Sequence, residues 1–156
     1  MKISTKGEYA VRAMLDLTGQ SHNYPVPLSN ISIRQGISLH YLEQLFVKLR
    51  RARLVNSIRG PGGGYVLAKK SSEITIGDIL RAVHEDLSIY ECADLNGNKN
   101  KSQCDKIENC ITSILWQRLA KHISEVLDSI TLDNLCKENK NGEQEKGVRH
   151  SFSFSI

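Results

Sequence analysis

The sequence predicts a mainly α-helical fold with a small β wing: a winged helix-turn-helix followed by a long dimerisation helix. Three observations lead to this fold class. Two short helical segments are separated by a glycine, a glycine-rich hairpin follows them directly, and a long amphipathic helix lies towards the end of the 156-residue chain. The expected divisions are the winged helix-turn-helix domain at 1–86, a cysteine-bearing loop at 87–110, the long helix at 111–135 and a disordered tail at 136–156.

Three helices are expected in the first 52 residues. Apolar residues recur at helical spacing over residues 5–19, which predicts the first helix. Ser29 is expected to cap a short helix over residues 30–35, and Gly36 to end it. Ser38 is expected to cap the next helix, which runs to about residue 52. The buried stripe of that helix is predicted to consist of Leu39, Leu42, Leu45, Phe46 and Leu49.

A predicted hairpin follows these helices. Residues 54–59 and 65–67 have the composition of strands, and the only glycine-rich cluster of the chain, 60–64, separates them. This cluster lacks the Gly-Lys-Ser/Thr ending of a nucleotide-binding loop and leads into a strand, which favours a DNA-binding wing over a phosphate loop. Arg59 and Gly60 begin the tip of this wing. An arginine at such a tip can enter a narrow minor groove, whose negative potential attracts it.

Two further helices are expected after the wing. Thr75 is predicted to cap a helix from residue 76 to about 85. Residues 111–130 are predicted to form one long amphipathic helix with a single apolar stripe: Ile111, Ile114, Leu115, Leu119, Ile123, Val126, Leu127 and Ile130. A small domain has little surface of its own to cover so long a stripe, so we expect it to pair two chains. Packing of the stripe on its own domain remains the alternative.

Charge is distributed unevenly along the chain. Residues 1–70 contain 11 Lys/Arg and 3 Asp/Glu, a net +8, whereas residues 71–156 contain 10 and 14, a net −4. A basic first half is typical of a domain that meets a polyanion, although solvated charge can also segregate by chance. The sequence shows neither a signal peptide nor an apolar run near the ~18 residues of a membrane span. We therefore expect a cytoplasmic protein with reduced thiols and no membrane partner.

The polar face of the second helix of a helix-turn-helix reads base edges in the major groove. This face offers Ser38, Tyr41, Glu43 and Gln44. A glutamine can bond an adenine edge, a glutamate can accept from cytosine N4, and a tyrosine can bond a phosphate or touch a thymine methyl group. Lys48 is a candidate phosphate contact. The alternative is a solvated helix face without a nucleic-acid partner.

Three cysteines lie in or at the end of the loop at 87–110. Eleven residues separate Cys92 from Cys104, and five separate Cys104 from Cys110. Thiolates are favoured ligands of zinc and of iron–sulfur clusters, although this is not a zinc-ribbon spacing and three independent thiols remain possible. Cys136 is expected to be a small buried or spectator thiol. No nucleophile–base set points to an enzyme, which leaves a small zinc-binding structural or enzymatic protein as the rival class.

Three blocks of the sequence closely resemble the IscR family of iron–sulfur-responsive transcription regulators: STKGEYAVRAMLD at 4–16, QGISLHYLEQLF at 35–46 and VNSIRGPGGGY at 55–65. The likeness extends from residue 1 to about 135. It implies a winged-helix homodimer that binds a palindromic operator in double-stranded DNA, and a 2Fe–2S cluster on three cysteines and one further ligand. It also implies that Tyr41 and Gln44 approach bases, that Arg59 enters the minor groove, and that Glu43 disfavours one operator class until the cluster is bound.

The chain departs from this family at two points. It has six more residues between its first two cysteines, and Ser113 stands where the family has a histidine as fourth cluster ligand. Glu8 is a second candidate for the fourth ligand, because the related NO-sensing NsrR regulators use a carboxylate of the partner subunit at the matching position. His84 is a third candidate. The expected function is control of cluster-assembly genes, with an NO- or redox-sensing regulator of the same build as the alternative.

Overall fold

The structure, a computed structural model, describes residues 3–20, 24–85 and 111–139. Its elements confirm a mainly α-helical fold with a two-stranded antiparallel sheet. In chain order they are α1 (Thr5–Gln20), α2 (Leu28–Gln35), α3 (Leu39–Arg51), β1 (Val55–Ile58), β2 (Gly64–Leu67), a 3-10 turn (Ser71–Glu73), α4 (Ile76–Ala82) and α5 (Ile111–Ser129). A last helical segment spans residues 132–139, so residues 136–139 belong to a helix and not to the expected tail.

One hydrophobic core joins the first four helices. The apolar faces of α1, α2, α3 and α4 meet in it, and its largest fully buried side chains include Phe46, Met14, Leu17, Ile31 and Ile79. Leu132, from the final helical segment, is also fully buried in this core. The C-terminal end of the described chain therefore packs on the same core as the helix-turn-helix.

The start of α2 differs from the prediction. The helix begins at Leu28, with Pro27 at the N-cap position, and no side chain caps it; Ser29 lies within the first turn. The reason is tertiary, because Val26 exchanges two 2.9 Å backbone hydrogen bonds with Tyr65 and is thereby held extended up to the proline. Gly36 ends α2 as predicted, in a left-handed conformation with φ of +65° that favours glycine.

The stripe of α3 is shorter than predicted. Leu42, Leu45, Phe46 and Leu49 are buried, whereas Leu39 is 43 % exposed because it lies in the first turn, at the edge of the apolar face. Ser38 caps the helix as expected, since its hydroxyl accepts a 3.3 Å hydrogen bond from the Tyr41 N–H.

The wing is fixed to α3. In its ladder Val55 pairs with Leu67 and Ile58 with Gly64. A side chain at Gly64 would overlap the Val26 backbone, so glycine permits the close approach of the two segments. The ring of Tyr65 meets that of Phe46 edge-on, with centroids 4.8 Å apart. The wing and α3 therefore form one rigid unit.

Helix α4 ends earlier than predicted. Its cap is as expected, because Thr75 Oγ1 accepts from the Asp78 N–H at 3.0 Å and the Asp78 carboxylate accepts from the Thr75 N–H at 3.2 Å. The helix stops at Ala82 instead of about 85 because His84 adopts a left-handed φ of +56°. This turn directs the Glu85 side chain to the N-terminus of α1.

The predicted stripe of α5 divides into two faces. Ile123, Leu127 and Ile130 are partly buried, and the last two pack on the domain core. The other five residues are exposed in the single chain: Ile111, Ile114, Leu115, Leu119 and Val126. The alternative of packing on the chain's own domain thus holds for part of the stripe, and pairing of two chains stays a prediction for the exposed part. Among the described residues, no helix is both long enough and apolar enough to cross a membrane.

Replacing Thr75 by Ala should lower the free energy of unfolding by about 1 kcal/mol, because the change removes one half of a reciprocal cap. Urea unfolding measures the effect. Ser29→Ala is the matched control and should leave stability unchanged, because Ser29 does not cap α2. Equal losses in both variants would contradict this assignment of the caps.

Candidate nucleic-acid interface and metal-binding segment

The N-terminal turn of α3 presents the predicted base-reading residues. Ser38 is exposed but its hydroxyl is engaged in the helix cap, so it fixes where the helix begins. Glu43 and Gln44 are exposed on the outer face. The structure therefore leaves a glutamate and a glutamine, both able to discriminate bases by hydrogen bonding, on the surface of this helix.

Tyr41 lies at the edge of that face and not at its centre. Its ring is half-buried and meets Tyr9 of α1 edge-on, with centroids 5.8 Å apart and planes at 86°. The Arg12 guanidinium lies 5.6 Å from the Tyr9 ring centroid and donates a 2.6 Å hydrogen bond to the Gln35 carbonyl. Helix α1 thus sets the position of the Tyr41 ring.

His40 lies on the same face, although it was not among the base-reading residues predicted from the sequence. Its Nε2 lies 3.0 Å from the Gln44 amide nitrogen, which donates when that ring nitrogen is unprotonated. Its Nδ1 lies 4.0 Å from a Glu43 carboxylate oxygen. The signal was present in the sequence, because residues three and four apart on a helix are neighbours.

Basic residues continue from α3 towards α4. Lys48 is half-buried and helps to line an open cleft of about 490 Å³ between these helices. The other charged or titratable residues that line the cleft are Arg51, Lys69, Asp78, Arg81 and His84. One carboxylate among these basic groups leaves the cleft positively charged, which suits an edge of a surface that meets phosphates.

The tip of the wing is a tight turn that depends on glycine. Arg59 and Gly60 are exposed, and Gly60 and Gly62 have φ values of +107° and +74°. The Gly63 N–H donates a 2.9 Å hydrogen bond to the Gly60 carbonyl, and a side chain at Gly63 would overlap the backbone carbonyl of Ile58. The turn therefore holds Arg59 at the exposed start of a narrow tip.

The three predicted metal ligands, Cys92, Cys104 and Cys110, lie outside the described residues. In the ranges that the structure describes, no group of three or more histidine, cysteine, aspartate or glutamate residues is placed to hold a metal ion. Cys136 is partly buried in the last helical segment.

The candidates for a fourth ligand differ in exposure. The Glu8 side chain is 61 % exposed on α1, and its carboxylate lies 3.6 Å from the Arg12 guanidinium. Ser113 is buried, on the same side of α5 as the buried Ala120. His84 is exposed at the turn that ends α4. Glu8 and His84 are thus exposed candidates, whereas Ser113 is a buried one.

Comparison with curated proteins finds close relatives over most of the chain. The HTH-type transcriptional regulator IscR of Vibrio atlanticus is 48 % identical over 140 residues, which cover 90 % of this chain and 78 % of the relative. The IscR of Vibrio campbellii is 49 % identical over the same length, covering 90 % and 80 %. These relatives are transcriptional regulators and not enzymes.

Solved structures share the fold. The T. potens IscR structure is 39 % identical, with a TM-score of 0.72 and coverage of 91 % of this chain and 90 % of that one. CymR, the global cysteine regulator of B. subtilis, is 38 % identical, with a TM-score of 0.70 and coverage of 88 % and 98 %. The model of the Rrf2 family, described as iron-dependent transcriptional regulators, matches residues 3–138. The chain therefore belongs to the Rrf2 family of winged-helix transcription regulators.

Proposed function

We propose that this protein is a homodimer that binds a palindromic operator in duplex DNA and controls genes of iron–sulfur cluster assembly. Its operator choice or affinity responds to a 2Fe–2S cluster. The observation that carries this proposal is that the exposed polar face of α3 and the wing with Arg59 at its tip pack on one hydrophobic core. Beside them, the apolar face of α5 is exposed.

The DNA-binding part of the proposal follows from the arrangement of α3 and the wing. A recognition helix enters the major groove with its N-terminal residues at the bases, where Glu43 and Gln44 lie. The wing is held to the same helix through Phe46 and Tyr65, so Arg59 has a fixed offset from it. The net +8 of residues 1–70 supplies the attraction to phosphates.

The dimer follows from the uncovered face of α5. Ile111 is 84 % exposed and Leu115 is 56 % exposed, on one side of a 19-residue helix. Such a continuous apolar face on a small protein indicates an interface, and a second copy of the same helix is self-complementary to it. A dimer also places two reading helices on the two halves of a palindrome.

The cluster-binding part rests on the chemistry of the donors. Cys92, Cys104 and Cys110 supply three thiolates from one segment, and an exposed Glu8 from the partner protomer supplies an anionic oxygen. The cluster would make the regulator sensitive to the supply of iron and to oxidants. Ser113 is the weaker fourth ligand, because a hydroxyl binds iron poorly unless it is deprotonated.

Helix α1 offers a direct connection between ligand and DNA-reading face. Glu8 precedes Tyr9, whose ring contacts Tyr41 of α3. If Glu8 binds the cluster, the ligand is the direct neighbour of Tyr9, the residue whose ring holds the Tyr41 ring. The substitution of the family's histidine by Ser113 also keeps an NO- or redox-sensing regulator as the second candidate, since an oxygen-donated corner is expected to make a cluster more labile.

Replacing Arg59 by Ala should weaken binding to a duplex operator several-fold or more, because the minor-groove contact is lost. Lys48→Ala should mainly reduce the salt dependence of binding: the slope of log Kd against the logarithm of the salt concentration should fall by about one. Fluorescence anisotropy across a salt series measures both effects. Lys121→Ala removes an exposed positive charge on α5, away from the proposed DNA-reading face, and should change neither value. Equal binding of single-stranded and duplex DNA, with no protected palindrome, would refute the DNA-binding proposal.

Replacing Leu115 and Leu119 by Asp should produce monomers that no longer bind the full operator, because charges then occupy the apolar face of α5. Analytical ultracentrifugation gives the oligomeric state. Gln117→Asp adds a charge to an exposed position on the opposite side of the same helix and should leave the dimer intact. A monomeric wild-type protein would exclude this interface.

Replacing Cys92, Cys104 or Cys110 by Ala should abolish the visible absorption of the anaerobically reconstituted protein, whereas Cys136→Ala should preserve it. Glu8→Ala should shift the spectrum or accelerate cluster loss, and Ser113→Ala should do neither. Mössbauer and absorption spectra identify the cluster type, and metal analysis distinguishes iron from zinc. A normal cluster in Cys104→Ala would show that the three-cysteine assignment is wrong.

A further inference from the structure

The long helix α5 is attached to the DNA-binding domain at its C-terminal end. The Ile76 N–H donates to the Ile130 carbonyl at 2.9 Å, and the Leu132 N–H donates to the Ile74 carbonyl at 3.0 Å. The side chains of Leu132 and Ile74 are fully buried. These contacts, together with Leu127 and Ile130 packed on the core, fix the C-terminal end of α5, whereas apolar residues towards its other end, such as Ile111 and Leu115, are exposed.

A second contact lies one turn earlier on α5. The Arg81 guanidinium of α4 binds the Asp128 carboxylate at 2.7 Å and the Asp78 carboxylate at 2.9 Å. The hydrogen bond to Asp128 raises the pKa of Arg81 above its ordinary value. We call these three residues, together with Gly77, the Arg81 clamp.

Gly77 gives the clamp its geometry. A Cβ at this position would overlap the Asp128 carboxylate, which therefore lies directly against the α4 backbone. Gly77 is buried in the first half of α4, where glycine is otherwise unfavourable in a helix. The absence of a side chain leaves room for the Asp128 carboxylate against the start of α4, where Arg81 binds it.

Because the clamp lies near the C-terminal end of α5, a small change in the angle between α4 and α5 moves the N-terminal end of α5 a long way. About 17 residues of α5 precede Asp128, a length of about 26 Å. A tilt of about 10° at the clamp would displace the far end by about 4–5 Å, which exceeds the ~3.4 Å rise of one base pair. In a dimer joined through α5, a small change at the clamp alters the separation of the two recognition helices by a base-pair step or more.

The geometry points to the Arg81 clamp as the positioning device that sets which half-site spacing the dimer accepts. This inference rests on the proposed DNA-binding homodimer. Neither Arg81 nor Asp128 needs to touch DNA for this role. They act on the angle between α4 and α5, and this angle sets the distance between the two α3 helices of the dimer.

The test uses the full-length protein and the palindrome that the wild type protects, together with versions in which one base pair is added or removed at its centre. The wild type should lose affinity at least about tenfold on the altered spacings. Asp128→Ala should reduce that loss to about threefold or less. Gly77→Ala should have the same effect, because its methyl group displaces the carboxylate without removing it. Glu125→Ala is the control, since its ion pairs with Lys121 and His122 stay within α5.

The readouts separate positioning from simple stability. A purely structural role would lower affinity equally on all three spacings, and that result would overturn the inference. A wild-type spacing penalty retained in Asp128→Ala, or loss of the dimer in that variant by ultracentrifugation, would also overturn it. A wild type that is monomeric or binds no palindrome would instead refute the proposed function on which the inference rests.

Discussion

The buried Glu85 side chain connects the two ends of the DNA-binding domain, and the arrangement of the other elements depends on it. Glu85 is 7 % exposed and accepts hydrogen bonds from the Ser4 backbone N–H at 2.7 Å and from the Ser4 hydroxyl at 2.5 Å. Ser4 in turn accepts from the Gly7 N–H at the start of α1. A buried carboxylate is stable only when such donors replace water. The end of α4 is thereby tied to the beginning of α1.

This connection determines the geometry of the DNA-reading face. Helix α1 supplies Tyr9, which contacts Tyr41, and Arg12, which bonds the end of α2. Helix α3 then carries the wing through the ring contact of Phe46 with Tyr65. The two elements that are expected to enter adjacent grooves are therefore parts of one packed unit, and their relative position does not depend on flexible links. The same tie places Glu85, the last described residue before the predicted cysteine loop, at the start of α1.

The winged-helix fold alone does not decide the signal to which a regulator of this family responds. IscR of T. potens and the cysteine regulator CymR of B. subtilis match this chain almost equally well in structure. A shared winged-helix fold thus serves regulators whose names indicate different roles, as is general for widely used folds. In this chain the residues proposed to decide the signal are Cys92, Cys104 and Cys110, together with the exposed Glu8.

Local signals in the sequence were sufficient for most of the elements. Helical periodicity located the helices, Ser38 and Thr75 marked their caps, and the glycines after Arg59 identified the wing, because each of these features depends on residues close together in the chain. Tertiary contacts decided the rest. The β-bridge of Val26 moved the start of α2, and the packing of α5 divided its apolar stripe into a buried and an exposed face. The contacts of Glu85 with Ser4 and of Asp128 with Arg81 join residues more than 45 positions apart, and no periodic pattern encodes such pairs.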